Sequence, residues 1–115
     1  MKDDISYLKH ILEAIEIIEI YLGGIEFGLF AKDRKTIDAT VRELEIIGEA
    51  ANYLSDEFKQ SHQKIPFRDM TDMRNILIHE YFGVDPNIVW GTCKNDLPPL
   101  KQIITDYLYD KIGSK

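Results

Sequence analysis

The stretch DISYLKHILEAIEIIEIYLGG, residues 4–24, decides the fold because its apolar residues recur at helical spacing. Two apolar stripes run along it: Ile5, Leu8, Leu12, Ile15 and Leu22 form the first, and Tyr7, Ile11, Ile18 and Tyr21 or Ile25 form the second. A helix with two apolar faces needs two packing partners, and in a small protein the second is often another subunit. Gly23-Gly24 is expected to end the helix, since glycine tolerates the left-handed conformation of a C-terminal cap.

The rest of the chain predicts more helices, because strand-like alternation of apolar and polar residues is absent. We expect a short helical turn at 25–32 and helices at about 33–54, 55–60 and 66–82. A further helix should begin at residue 85, anchored by Ile88, Val89 and Trp90, and should break or kink near Pro98. A last helical stripe consists of Leu100, Ile103, Ile104, Leu108 and Ile112. Asp33 or Thr36, Ser55 and Asp85 are the expected caps at helix starts. The fold class predicted is all-α, an antiparallel bundle of four to five helices.

Length and composition indicate one soluble domain spanning residues 1–115. Hydrophobic residues make up 44% of the 115-residue chain, which is enough for a core, and the charged residues, 30%, are mixed in sign. The formal net charge of −6 argues against a general nucleic-acid binder, because such binding depends on many Lys and Arg residues neutralising phosphates. Any contact with nucleic acid should therefore be local, and a basic protein partner is equally compatible.

A single cysteine and an interrupted N-terminus indicate a cytoplasmic protein. Cys93 has no partner within the chain for a disulfide, and a lone cysteine is more often a small core residue than a nucleophile. Acidic residues interrupt the N-terminal segment, which lacks the layout of a signal peptide. No run approaches the ~18 apolar residues of a membrane span. We therefore expect no membrane association.

The stretch DMRNILIHEYFG, residues 72–83, places polar side chains on an apolar helical run. On an ideal helix Met70, Met73 and Leu77 line the core side, whereas Arg68, Asp72, Asn75 and His79 form a polar stripe. Arg74 and Tyr81 lie almost over each other, but Arg74 and His79 diverge by about 140°. Those two can share a site only through the length of the arginine, a distorted last turn or a second chain.

The side chains of this stretch suit acid–base chemistry beside a phosphate. The His79 imidazole titrates near neutral pH, and the Arg74 guanidinium is suited to binding phosphate. The alternative is a core helix whose polar side chains have only structural roles. We interpret His10 and His62 as structural or exposed histidines of that kind.

Glu45, Glu49 and Asn52 share one side of the 33–54 helix, as either a solvated acidic face or a functional one. With only Asp72 and Glu49 as inward acids, two-metal chemistry is not expected, and no metal or cofactor is predicted.

Three blocks of the chain resemble the HEPN superfamily, specifically the HepT-like toxins of prokaryotic toxin–antitoxin pairs. RNILIHEY, residues 74–81, fits the signature R-x-x-x-x-H-x-Y at Arg74, His79 and Tyr81. The blocks are VRELEIIGEAANYLS, FRDMTDMRNILIHEYFGVDPNIVW and DLPPLKQII, which look like the second-helix, central and last-helix blocks of the family. Phe67 stands where many relatives are expected to have Trp, a change that should only repack the core.

The resemblance implies a dimeric, metal-independent RNA endonuclease acting as a toxin, with motif residues of two subunits meeting in one cleft. Arg74 and His79 would be catalytic, and Asn75 would support them, with Asp72 and Glu49 as further supporting candidates. Tyr81 looks like the residue to which a minimal nucleotidyltransferase, the partner antitoxin, transfers AMP from ATP. Two alternatives stay open: a non-catalytic HEPN-like adaptor that binds the nucleotidyltransferase, and a purely structural dimer.

Overall fold

The computed structural model describes residues 4–67, 69–71 and 85–110, and all regular structure in these ranges is helical. The helices are α1 (Asp4–Leu22), α2 (Phe27–Phe30), α3 (Arg34–Asn52), α4 (Asp56–Ser61), α5 (Pro86–Gly91) and α6 (Leu97–Leu108), and a π-helical turn (Thr92–Asp96) joins α5 to α6. Residues 67 and 69–71 are also helical. The prediction of an all-α fold is confirmed.

Helix α1 is the centre of the core, and other helices of the same chain cover most of both of its apolar stripes, although Tyr21 stays exposed. Its buried residues are Leu8, Ile11, Ala14, Ile15, Ile18 and Leu22. Leu8 and Ile15 come from the first stripe and Ile11 and Ile18 from the second, so the two stripes merge into one broad buried face against α3 and α6. The pattern of α1 therefore does not by itself require a second subunit, and the homodimer stays a prediction.

Contacts at the two ends of α1 fix the directions of the three long helices. At one end of α1, Asp4 accepts hydrogen bonds from Ser55, just beyond the end of α3, and its charge acts on Tyr107 near the end of α6. Towards the other end, Lys101 Nζ of α6 lies 2.9 Å from Glu19 Oε1 of α1. Both α3 and α6 thus run antiparallel to α1, as the bundle prediction required.

The predicted caps form at three helix starts. The Asp33 side chain accepts from the Thr36 amide at 3.1 Å, the Ser55 hydroxyl from the Phe58 amide, and the Asp85 carboxylate from the Asn87 amide. At the first of these, hydrogen bonds from Thr36 lower the pKa of Asp33. Each bond satisfies an amide that a helix start leaves without an intrahelical partner. The caps explain why the observed helix starts follow the sequence signals closely.

Helix ends and single core positions were less well predicted. Gly24 ends α1 with a φ of 81°, as expected, but α3 ends at Asn52 rather than near Leu54. Ile88 was expected to anchor the core with Val89 and Trp90, and this was wrong, because Ile88 is 52% exposed while Val89 is fully buried. Consecutive helical residues point about 100° apart, so three in a row cannot all face one core.

The break predicted near Pro98 is a change of hydrogen-bond register rather than a loop. The Leu97 amide donates to the Thr92 carbonyl five residues earlier, which is the π-helical pattern, and the backbone stays helical from α5 into α6. Pro98 and Pro99 follow directly, in the first turn of α6, and neither has the amide hydrogen that an uninterrupted helix would use there. The interruption therefore leaves α5 and α6 joined without a loop.

We predict that the bond between the start of α1 and the end of α3 stabilises the bundle. Ser55→Ala removes the cap of α4 and the hydroxyl bonded to Asp4, and should lower the free energy of unfolding by about 1 kcal/mol or more. Asp4→Ala should be destabilising too, and the double variant should lose less than the sum, because the two side chains share one interaction. Urea unfolding followed by circular dichroism measures all three.

Ser61→Ala is the matched control. Among the described residues, the Ser61 hydroxyl donates only to the Glu57 carbonyl within its own helix, so its loss should change stability by less than about 0.5 kcal/mol. Strict additivity of Asp4→Ala and Ser55→Ala would show that the two ends are not coupled.

Candidate functional site

Five of the six predicted site residues lie outside the described residues. These are Asp72, Arg74, Asn75, His79 and Tyr81. The structure does describe parts of the two segments that border them, residues 66–67 and 69–71 before the motif and residues 85–91 after it. The geometry of the site is therefore built from these flanking segments.

The segment before the motif is helical and packed into the core. The Met70 amide donates to the Pro66 carbonyl at 3.0 Å, and Phe67 and Met70 are both buried, each 9% exposed. The Phe67 ring lies 5.8 Å from that of Phe58 in an edge-to-face contact. This agrees with the expectation that Phe67 is a core position and that Met70 lies on the core side.

His62 is a packing residue beside that segment. Its ring stacks on Phe58 at 4.1 Å and meets Tyr107 edge-on at 4.9 Å, and its Nδ1 lies 3.0 Å from the Phe58 carbonyl oxygen. Burial raises the pKa of Tyr107, and the charge of Asp4 adds to the effect. His10 is exposed with its edge towards Tyr7, so both histidines have the structural or surface positions predicted for them.

The segment after the motif is held by its cap and by an aromatic contact. Asp85 caps α5, and Trp90 packs against Phe30 and Phe27 of α2 with ring centroids 5.1 and 5.8 Å away. Lys94 Nζ lies 4.8 Å above the Trp90 ring, which is within the range of a cation–π contact. The described residues on both sides of the motif therefore belong to helices that pack against the rest of the domain.

The predicted motif is joined closely along the chain to these two segments. Arg74 follows Thr71 by three residues, and Tyr81 precedes Asp85 by four. The described segments are therefore the nearest parts of the structure, along the chain, to the chemistry predicted for the motif.

Two of the three residues on the acidic side of α3, Glu49 and Asn52, are exposed. Glu45 is half-buried and pairs loosely with Arg42 at 3.9 Å. Exposure suits a solvated face and a functional one alike, so both interpretations of the stripe stay predictions. Glu49 is the one member of the predicted site that the structure describes.

A cleft of about 410 Å³ lies between α3, residues 64, 66, 69 and 70, the π-helical turn and the start of α6. Its apolar lining includes Leu44 and Ile47 of α3, and its rim includes Lys64, Asp69 and Asp96. Sequence reasoning missed these rim residues because they come from segments far apart in the chain. The available signal was the pair of prolines at 98 and 99, which marks the irregular turn that lines one wall.

Within the described ranges, no three His, Cys, Asp or Glu side chains are grouped so that they could hold a metal ion. The same residues contain no helix that is long and apolar enough to cross a membrane.

Cys93 is a core residue, as predicted. It is 7% exposed in the π-helical turn, and burial raises the pKa of its thiol to about 12. The thiolate is the reactive form of cysteine, so a thiol held neutral at physiological pH is a poor nucleophile. Cys93 therefore takes no part in the candidate chemistry.

The fold and the flanked motif define an all-helical domain of the HEPN type, and the comparisons with known proteins identify its family. The family model described as Ribonuclease HepT-like matches residues 11–106. The chain belongs to this HepT-like ribonuclease family, whose substrate class is RNA. No solved structure gave a significant match.

Curated relatives agree with this assignment. A protein of Thermococcus cleftensis named "Probable ribonuclease HepT" is 50% identical over 96 residues, which cover 84% of this chain and 87% of the relative. A protein of Caldanaerobacter subterraneus subsp. tengcongensis, named a putative RNase, is 43% identical over 94% of this chain and 96% of its own length. A third, also named a putative RNase, from Methanocaldococcus jannaschii, is 35% identical over 88% of this chain and 93% of the relative.

We predict that the thiol of folded Cys93 resists alkylation. With its pKa raised to about 12, the thiolate fraction at pH 8 is small, so iodoacetamide should react at least about a hundredfold more slowly than with the unfolded chain. Mass spectrometry measures the reaction, and the same protein in guanidinium chloride, which should take up one adduct, is the control. Rapid modification of the folded protein at pH 8 would show that Cys93 is accessible.

Proposed function

We propose that this protein is the toxin of a toxin–antitoxin pair, a metal-independent RNA endonuclease whose site combines residues of two subunits. The observation that supports it most is the intact Arg74, His79 and Tyr81 pattern within a chain that belongs to the HepT-like ribonuclease family. Its substrate and the ATP needed for its control both occur in the cytoplasm, which is where we place the protein.

Metal-free RNA cleavage uses the ribose 2′-hydroxyl as the nucleophile. A base removes the hydroxyl proton, the 2′-oxygen attacks the adjacent phosphorus, and an acid protonates the leaving 5′-oxygen, which yields a 2′,3′-cyclic phosphate and a 5′-hydroxyl. Positive charge stabilises the phosphorane-like transition state. In our proposal His79 is the acid or base and Arg74 supplies the charge.

A homodimer resolves two difficulties of this assignment. The motif of one chain offers one histidine, whereas the reaction needs a base and an acid, and a two-fold axis supplies a second His79 and a second Arg74. The divergence of Arg74 and His79 on an ideal helix also matters less when the site is built from both chains. Asn75 would hydrogen-bond the phosphate, and Asp72 and Glu49 remain supporting candidates, Glu49 from its exposed position on α3.

Tyr81 is proposed as the control point. Its hydroxyl oxygen attacks the α-phosphorus of ATP on the partner nucleotidyltransferase, pyrophosphate leaves, the phenolic proton is released, and AMP stays esterified to the tyrosine. The added nucleotide carries a negative phosphodiester beside the Arg74 cation. It would neutralise the phosphate anchor and exclude RNA by bulk and by repulsion.

The net charge of −6 favours a second candidate, an adaptor that binds the nucleotidyltransferase and cleaves nothing. Arg, Asn, His and Tyr side chains can build a polar protein interface as readily as an active site. In the ribonuclease, the same charge predicts a short RNA footprint and a shallow dependence of binding on salt. Activity assays separate the two candidates.

We predict that the protein cleaves RNA in the presence of EDTA and leaves 2′,3′-cyclic phosphate ends. His79→Ala should reduce the rate by a factor of about 10² to 10⁴, the usual contribution of a general acid or base. His10→Ala, at an exposed histidine outside the motif, should retain full activity and is the matched control. Wild-type protein that is harmless when expressed alone and degrades no RNA would establish the adaptor instead.

We also predict that Tyr81 is the site of AMP transfer. Incubation with the partner nucleotidyltransferase and ATP should add one or more AMP units and abolish RNA cleavage, and Tyr81→Phe should remain unmodified and active. Tyr53→Phe, which removes the hydroxyl of a tyrosine that is 60% exposed, is the control and should be modified like the wild type. A Tyr81→Phe protein that the partner still silences by AMP transfer would contradict the assignment.

A further inference from the structure

The cleft beside the motif segment combines an apolar floor with a polar rim. Its floor and walls are aliphatic side chains, which include Leu44, Ile47, Met70, Leu97, Leu100 and Ile103. Its volume of about 410 Å³ lies within the range of small-molecule sites and is large enough for one nucleotide. Such a floor suits a flat ligand with apolar faces.

The rim offers polar groups that form no hydrogen bond within the part of the chain that the structure describes. Among the described residues, the carboxylates of Asp69 and Asp96 form no hydrogen bond or ion pair, and Asp96 stands at the N-cap position of α6 without capping it. Lys64 and Asn95 stand on the same rim, exposed and equally uncommitted within that part of the chain. Two acceptors and one cation therefore surround an apolar floor.

The cleft lies next to the segment that carries the proposed chemistry. Met70 is part of its lining and Asp69 part of its rim, and Arg74 follows Met70 by four residues in the chain. In our proposal, a base held in the cleft belongs to a nucleotide close to the cleaved bond.

We infer that this cleft binds one nucleobase of the RNA substrate and that its carboxylates select guanine. Guanine presents two adjacent donors, N1–H and the N2 amino group, which one carboxylate can accept together. Adenine and cytosine place an acceptor ring nitrogen beside their amino group, and uracil places carbonyls on both sides of its N–H. Because the ligand is RNA, the inference rests on the proposed ribonuclease function.

The rest of the lining agrees with a base rather than with the phosphate backbone. Aliphatic side chains such as Met70 and Leu97 can sandwich the base faces, as happens in pockets that take an extruded base. Lys64 can meet the phosphate of the bound nucleotide and offset the repulsion from the carboxylates. Base recognition of this kind gives an acidic protein affinity for RNA with few cations.

Mononucleotide binding tests the pocket without cleavage. GMP, AMP, CMP and UMP are titrated into the wild-type protein and followed by backbone amide resonances. GMP should bind at least about tenfold more tightly than the others, with the largest shifts at residues of the cleft. The double variant Asp69→Asn, Asp96→Asn should lose this preference. Equal binding of the four nucleotides, or shifts confined to residues outside the cleft, would overturn the inference.

A second double variant controls for charge and for folding. Asp38→Asn, Asp106→Asn also removes two negative charges, but at exposed positions on α3 and α6 that do not line the cleft. This variant should keep the preference for GMP. Thermal unfolding of both double variants confirms the fold. If the cleft variant weakens binding to the nucleotidyltransferase and leaves GMP binding unchanged, the cleft is a protein-docking surface and the inference is wrong.

Cleavage of modified RNA separates this inference from the proposed function. Replacing guanosine by inosine removes only the N2 amino group and should lower cleavage at the substituted positions at least tenfold. RNA with 7-deazaguanosine keeps the N1–H and N2 edge and should be cleaved normally. Cleavage without regard to base would overturn the pocket and leave the ribonuclease intact. Selective GMP binding without any RNA cleavage would support the pocket and refute the proposed nuclease.

Discussion

The burial of α1 between α3 and α6 is the constraint on which the rest of the structure depends. Leu8 and Ile11 are fully buried and Ile15 nearly so, and each such side chain contributes about 1.5–3 kcal/mol relative to exposure. Because both partner helices run antiparallel to α1, they run parallel to each other. The cleft opens between the middle of α3 and the start of α6, beside Asp69 and Met70, which precede the motif in the chain.

Local signals predicted much of the fold. The bounds of α1 and the caps at Asp33, Ser55 and Asp85 follow from periodicity and from side chains that bond an amide two or three residues away. Positions that depend on tertiary packing were harder. Ile88 and Val89 look alike in sequence, and only the arrangement of neighbouring helices decides that one is exposed and the other buried. The two stripes of α1 could not reveal that one chain covers most of both.

The candidate site also has one part that the sequence could predict and another that it could not. The sequence alone predicts roles for Arg74, His79 and Tyr81, because their spacing within one short segment resembles the HEPN signature. Asp69 and Asp96 could not be grouped beforehand, because tertiary packing brings them to one cleft from segments separated by the motif itself. A motif thus indicates a reaction, whereas the surroundings that would choose among substrates emerge only in the folded chain.

The π-helical turn limits how the length of this chain can change. A π turn holds one more residue than an α-helical turn, so the apolar stripe of α6 is rotated by about 100° from the position that continuing α5 would give it. Deleting one residue between Thr92 and Asp96 would restore a regular helix but turn Leu100 and Ile104 away from α1. The length of this short segment is therefore under stronger constraint than its amino-acid composition, and descendants of this sequence should tolerate substitutions there far better than a change of one residue in length.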